Sequence, residues 1–224
     1  MTSPITGKVK GPLDRMMIAL HQKTSHDHRL DLLAERIGNT VESLQVPAPH
    51  CLDIGCGDMR LAESLEKRIA GSQWSCIDIH PLPAALAHER RWDRYRQFDG
   101  AHIPFGDKRF SCALLCDVLH HSTDANQLSL LSEARRTAEH VIVKDHFEYG
   151  PWSRQMLRLM DFAGNYAYGV SVPDRYFDQT SFTAIARDSG LHVRSLEIGV
   201  DLYRHLPLAS KVLRSEWQFI AVLG

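Results

Sequence analysis

No stretch of this 224-residue sequence approaches the ~20 consecutive apolar residues that cross a bilayer. The amino terminus, MTSPITGKVKGPLDRMMIALHQ, lacks the apolar core of a signal peptide. A cytoplasmic protein with no membrane partner is expected. Net charge is nearly absent too: 26 Lys and Arg against 27 Asp and Glu leave a formal −1. A nucleic-acid binder needs a basic face. The one arginine cluster, ERRWDRYR at 89–96, is interleaved with Glu89 and Asp93 and reads as a solvated helix end. No nucleic-acid partner is expected. Cysteine is scarce and odd in number, and Cys51, Cys56, Cys76, Cys112 and Cys116 show no CxxC spacing. That excludes a disulfide framework, predicts reduced core thiols, and gives no reason to expect a metal site. Repeats and low-complexity tracts are missing as well.

What is present is an ordinary globular composition, 44% hydrophobic and 24% charged, in a chain long enough for one substantial core. A single domain over 1–224 is expected, with 1–46 as a leading helical segment. There Leu30, Leu33, Ile37, Val41 and Leu44 recur at helical spacing before the PAP at 47–49. Beyond it, apolar runs predict strands near 50–54, 74–79, 94–98, 111–117 and 140–145. Helices are predicted near 59–70, 83–91 and 124–138. Such alternation implies an α/β fold, doubly wound, with a parallel sheet covered by helices on both faces.

The rhythm changes after Asp145. Residues 146–178 carry Phe147, Tyr149, Trp152, Phe162, Tyr166, Tyr168, Tyr176 and Phe177, with glycines and a proline between them. This composition suits a pocket cover, with apolar faces to exclude water and polar tips to bond a ligand. Packing of extra helices on the sheet would use the same residues. A helix is predicted near 178–189, then strands in LHVRSLEIGV and EWQFIAVLG. No clear helix separates those two strands, so the last is expected to run antiparallel at or near the sheet edge.

The stretch CLDIGCGDMR at 51–60 joins the first strand to a helix through Gly55 and Gly57, which permit a sharp bend and close approach of a ligand. A dinucleotide turn wants a third small residue where Arg60 stands. Asp53 would repel a pyrophosphate and suit a ligand with a cationic end. Asp78 ends the second strand, where a carboxylate can accept from ribose hydroxyls. Asp99 ends the third, where one can accept from an adenine amine.

CLDIGCGD, IDIHP and FDGAHIPFGDKRFSCALLCDVLHH together resemble the first four motif regions of class I S-adenosylmethionine-dependent methyltransferases of the small-molecule type, over roughly residues 25–145. The resemblance implies a Rossmann-like seven-stranded sheet in the order 3-2-1-4-5-7-6 with the last strand antiparallel. It implies S-adenosyl-L-methionine as cofactor and S-adenosyl-L-homocysteine as product. By the same likeness Asp53, Gly55, Cys56 and Gly57 line the methionine end. Asp78 takes the ribose, with the adjoining Ile79 also in the cofactor site, and Asp99 with Gly100 takes the adenine. Asp117 would lie beside the reacting sulfonium. In two places the sequence departs from the pattern: Met59 stands where the family often has glycine, and Ser111 where it often has aspartate. In HDHRLDLL, which looks like the helix preceding the core in relatives, Arg29 would reach the cofactor carboxylate or pair with Asp31 or Glu35.

Methyl transfer to a small-molecule oxygen, nitrogen or carbon is the expected activity. A base is required only if the acceptor must lose a proton. His146, at the fifth strand's end, is the first candidate and His121, after the fourth, the second; an ordering role for the doubled histidine is the structural alternative. No Asn/Asp-Pro-Pro-aromatic turn or paired-glutamate loop marks a nucleic-acid or protein-arginine enzyme. A non-catalytic cofactor-binding protein and an NAD-dependent oxidoreductase are the competing classes. Neither acceptor identity nor oligomeric state follows from these residues.

Overall fold

Runs such as CALLC, HVIVK and QFIAVL are too apolar to tolerate a wet face, and they become the central strands of the sheet. The computed structural model describes residues 27–81, 93–165, 172–203 and 213–224. Helix α1 (Asp27–Ser43) leads into β1 (His50–Ile54), α2 (Arg60–Arg68), β2 (Gln73–Asp78) and β3 (Tyr95–Gln97). Then come β4 (Phe110–Cys116), α3 (Asp124–Thr137), β5 (Ala138–His146) and α4 (Pro151–Asn165). Helix α5 (Gln179–Asp188), β6 (Val193–Ile198) and β7 (Gln218–Leu223) complete the order, with short 3₁₀ turns at Leu119–His121 and Ser215–Trp217.

The seven strands run β3-β2-β1-β4-β5-β7-β6. β1 to β5 are mutually parallel, and β7 is antiparallel to both of its neighbours, as the terminal strands predicted. Strand alternation sends successive side chains to opposite faces. Cys51, Cys112, Leu114, Ile142 and Ile220 join Leu33, Ile37 and Val41 of α1 and Ala62 and Leu65 of α2 on one face. Leu52, Ile54, Leu115, Val143 and Phe219 join Leu130 and Leu131 of α3 and Phe182 of α5 on the other. The cysteines are all free, four of them buried in this packing and Cys116 half-buried.

Two expectations are refined. The fifth strand extends to His146, so Asp145 and His146 lie within it and are buried. The aromatic-rich segment opens with a helix, α4, in line with the extra-helix alternative, and it starts at Pro151, where a missing N–H costs nothing. Its Leu157 packs on Tyr176 and Trp217. Phe147 and Phe177, from the same segment, belong to the core; Phe147 stacks on Phe219 with ring centroids 3.9 Å apart. The helix expected at 83–91, together with Tyr166 and Tyr168, lies outside the described residues.

The β1–α2 turn is held by the Gly55 and Cys56 N–H groups, both donating to the Ile77 carbonyl. Gly55 has φ +75°, and a Cβ there would sit 2.5 Å from Val118 Cγ2. Gly57 has φ +53° with open space above it. Met59 also takes the left-handed conformation, φ 63° and ψ 6°, and its side chain is buried in the core. The turn thus keeps the backbone geometry a glycine would adopt there, and packing of the methionine offsets about 1–2 kcal/mol of strain. Accordingly, Gly57→Ala should lower stability by about 1 kcal/mol and Gly55→Ala by clearly more, because only the latter also overlaps Val118. Equal urea midpoints for the two variants would refute this account.

Candidate functional site

The carboxyl ends of β1, β2 and β4 converge on the glycine turn, and each delivers an acid. Asp53 lies on the face of the sheet shared with Cys51, only 2% exposed, and its Oδ2 is buried with no hydrogen-bond partner. Burial, reinforced by the charges of Asp78 and Asp58, pushes its carboxyl up to about 7. A group in this state lacks a donor or a cation. Asp78 is buried at the end of β2, where Oδ2 accepts from the Gly57 N–H and Oδ1 from the His80 N–H, each at 2.9 Å. It ties the turn to the strand while keeping further lone pairs.

Asp99 is exposed, and its Oδ1 accepts from the Ala101 and His102 N–H groups at 2.8 and 2.7 Å. Its Oδ2 lies 3.0 Å from His102 Nδ1. These bonds hold its carboxyl well below the usual range. Ile79 is half exposed, and its Cγ2 would lie 3.1 Å from a Cβ on Gly100, so the two form an apolar shelf beside Asp99. Cys56 is buried, its thiol held far above the ordinary range by hydrogen bonding with Cys76 and by burial.

A denser polar cluster occupies the tips of β4 and β5. Lys144 is 0% exposed, and its Nζ lies 2.5 Å from Asp117 Oδ1. Arg29 from α1 donates through Nη2 to Asp117 Oδ2 at 2.9 Å, which settles its pairing away from Asp31 and Glu35. Its Nε is buried without a partner. Burial opposes the charge on Asp117, yet Lys144, His146 and Arg29 hold its carboxyl far below the usual range. Asp117 itself has φ 56°, a conformation this ion cluster maintains.

Next to it, His120 Nδ1 lies 2.6 Å from Asp145 Oδ1, with both side chains fully buried. His120 Nε2 lies 3.4 Å from Asp161 Oδ2 on α4, and Tyr176 donates its hydroxyl to that oxygen at 2.5 Å. Burial disfavours the imidazolium, but Asp145 and Asp161 outweigh it and raise His120 to about 10. His146 behaves oppositely: burial and nearby Lys144 lower it, and its Nδ1 has no hydrogen-bond partner. At neutral pH it is a neutral imidazole able to take a proton. Its Nδ1 stands 3.5 Å from Asp117 and 3.6 Å from Asp145. His121 is half-buried, its ring centroid 4.0 Å from that of His120.

Sequence-selected Arg29, Asp117, His121 and His146 are therefore brought into one cluster, and Asp53, Gly55, Cys56, Gly57 and Asp78 into the adjoining turn. Asp99, Gly100 and Ile79 lie at its outer edge. Sequence reasoning passed over His120 in favour of its neighbour, and overlooked Lys144 as a partner of Asp117 and Asp161 altogether. The lysine was findable, since a charged residue closing an apolar strand is rarely left unpaired. Asp161 was not, because extra helices were considered for this segment without bounds, and its partners His120 and Tyr176 lie far from it in sequence.

Residues 52–140 match the family model described as a methyltransferase domain. Over 102 residues the chain is 34% identical to the biotin biosynthesis bifunctional protein BioCD of Bordetella avium (strain 197N). The match takes in 44% of this chain and 21% of that protein, so the chain spans about a fifth of the length of that curated relative. Among solved structures, an S-adenosylmethionine-dependent methyltransferase from Aquifex aeolicus superposes with a TM-score of 0.59 at 15% identity, over 92% of this chain and 96% of that one. The 1,6-didemethyltoxoflavin-N1-methyltransferase of Burkholderia thailandensis was solved with 1,6-didemethyltoxoflavin and S-adenosylhomocysteine. It superposes with a TM-score of 0.60 at 15% identity, over 100% of this chain and 92% of that one. At that identity the likeness speaks to the fold.

Asp53 has a signature in solution. With its folded value near 7 against an ordinary 3.8, the native state keeps a proton that the unfolded chain has released. The stability tied to that proton is fully present below about pH 4 and is lost as pH rises through 7. Asp53→Asn should therefore gain on the wild type by about 2–3 kcal/mol between pH 5 and pH 8 in urea melts. Parallel pH profiles for the two proteins would show that Asp53 holds no such proton.

Proposed function

The chain has the class I S-adenosylmethionine-dependent methyltransferase fold, and on that premise we propose that it transfers a methyl group to a heteroatom or carbon of a small-molecule acceptor. The observation that carries the reading is Asp53: a buried carboxylate oxygen with no donor, beside a glycine turn with open space above Gly57. A dinucleotide pyrophosphate would meet like charge there, whereas the ammonium end of an amino-acid-bearing nucleoside supplies the missing cation.

The remaining contacts follow from groups that still have bonding capacity. Arg29 Nε, buried and unpartnered, is the donor for the cofactor's carboxylate. Asp78 accepts from the ribose hydroxyls with lone pairs its two backbone donors leave free. Ile79 and Gly100 give the adenine an apolar face, with Asp99 at its edge. When bound, S-adenosylmethionine supplies a methyl carbon activated by its sulfonium, which the acceptor takes by in-line displacement, leaving S-adenosylhomocysteine. The chain's own part is alignment and exclusion of water.

Asp117 is fixed at the β4 tip by Arg29 and Lys144, so the charge facing the reacting centre is balanced within the protein. His146, neutral and unpartnered at Nδ1, is the base where the acceptor must release a proton, with His121 the alternative. Among the described residues of the 146–178 segment, the exposed Tyr149, Trp152 and Phe162, in and beside α4, are available to cover an acceptor. Support for a small acceptor comes from the neutral overall charge and from a neighbour of like fold solved with 1,6-didemethyltoxoflavin.

S-adenosylhomocysteine should raise the melting temperature, and NAD should not. Because the ammonium end requires ionised Asp53, affinity for S-adenosylhomocysteine should fall about tenfold from pH 8 to pH 6 in the wild type. In Asp53→Asn it should be weaker and flat over that range. Stabilisation by NAD alone would overturn the reading. His146→Gln should cut turnover about a hundredfold while leaving S-adenosylhomocysteine affinity unchanged. Unaltered turnover with an acceptor that must lose a proton would remove His146 as the base.

A further inference from the structure

We propose that His120, His121 and Asp161 form a divalent-cation site at the tip of β4, with Asp145 orienting His120 from behind. His120 Nδ1 lies against buried Asp145 Oδ1, which fixes the ring and turns Nε2 the other way, and an ion bound at Nε2 takes the place of the imidazolium's second proton, which is released to solvent. A carboxylate behind a ring nitrogen, with the opposite nitrogen left for a metal, is the arrangement that fixes a ligating histidine. His120 Nε2 is buried and makes no hydrogen bond.

Asp161 Oδ2 lies 3.4 Å away, longer than a well-formed hydrogen bond. That separation matches the spacing of about 3.3 Å between two ligands each roughly 2.0–2.1 Å from a tetrahedral zinc ion. His121 adds a third donor, and the ligand atoms of the three residues all lie within 4.8 Å of one another. Tyr176 holds the Asp161 carboxylate in place through its hydroxyl.

Burial is graded in the way such a site requires. His120 is buried, while His121 and Asp161 are half-buried and leave an entry path. The overlapping trio of His120, Asp145 and His146 is wholly buried. There Asp145 Oδ1 is already committed to His120 Nδ1 and to the His146 N–H. Two imidazoles and one carboxylate suit zinc, cobalt or iron in the divalent state and leave a coordination position open.

The use of the ion rests on the methyltransferase reading: a cation at this strand tip would lower the pKa of an acceptor hydroxyl reaching the open position, its proton passing to His146, with His121 then a ligand and no longer the alternative base. Binding of the ion does not rest on it. The full chain, stripped with a chelator and titrated with cobalt(II) chloride, should take up one equivalent with a visible ligand-field band that zinc chloride abolishes. Asp161→Asn and His121→Gln should each weaken cobalt binding at least tenfold, whereas His146→Gln should not. Absence of stoichiometric uptake, or uptake unchanged in both Asp161→Asn and His121→Gln, overturns the site. A thermal shift with S-adenosylhomocysteine in the same samples reports folding and keeps the two readings apart. A shift without cobalt binding removes the metal site alone, and cobalt binding without a shift removes the cofactor assignment alone.

Discussion

A lysine with no exposed surface must be paired, and the pairing of Lys144 with Asp117 governs how the ends of β4 and β5 are arranged. Removing Asp117 would strand the Lys144 ammonium in a low-dielectric interior, a loss on the order of 3–5 kcal/mol, whereas Asp117 would still keep Arg29 if Lys144 were lost. The contact holds Asp117 in a left-handed conformation just after β4 and recruits Arg29 from α1 across the top of the sheet. The leading helix is thus tied to the site by an ion pair as well as by its apolar face.

From this cluster the two neighbouring histidines acquire different characters. His120 sits between Asp145 and Asp161 and is driven toward the charged form. His146 sits beside Lys144 and is driven toward the neutral one. Their ring centroids are only 5.2 Å apart, so the divergence comes from which charges each nitrogen faces. On the other side of the cluster Asp53 makes no ion pair among the described residues, and that imbalance separates the glycine turn from the ion-paired network around Asp117. Asp78, bonded to the Gly57 and His80 N–H groups, stiffens the turn between them.

Much of this was readable from sequence because it is encoded locally. Apolar runs predicted all seven strands, and their alternation with amphipathic segments predicted the layers. Strand-end positions brought out Asp53, Asp78 and Asp99, and Asp117 came with the family resemblance. Legibility ended where a residue's role depends on a distant partner. Nothing in the sequence around Asp161 marks it, because His120 and Tyr176, the side chains it meets, are far from it along the chain. The same holds for Arg29, whose neighbours in sequence, Asp31 and Glu35, are not the acid it pairs with.

Glycine spacing, strand pattern and acid placement by themselves determined the α/β sheet and the kind of cofactor loop it carries, because backbone conformation and burial are set by side-chain type and period. The strand order came with the family resemblance of the same motifs. Tertiary structure alone decided that Met59 can occupy a glycine's conformation, that Asp53 lacks a donor, and that His120 meets Asp161. Those outcomes depend on desolvation and on distances between segments far apart in the chain, and no local pattern carries either quantity.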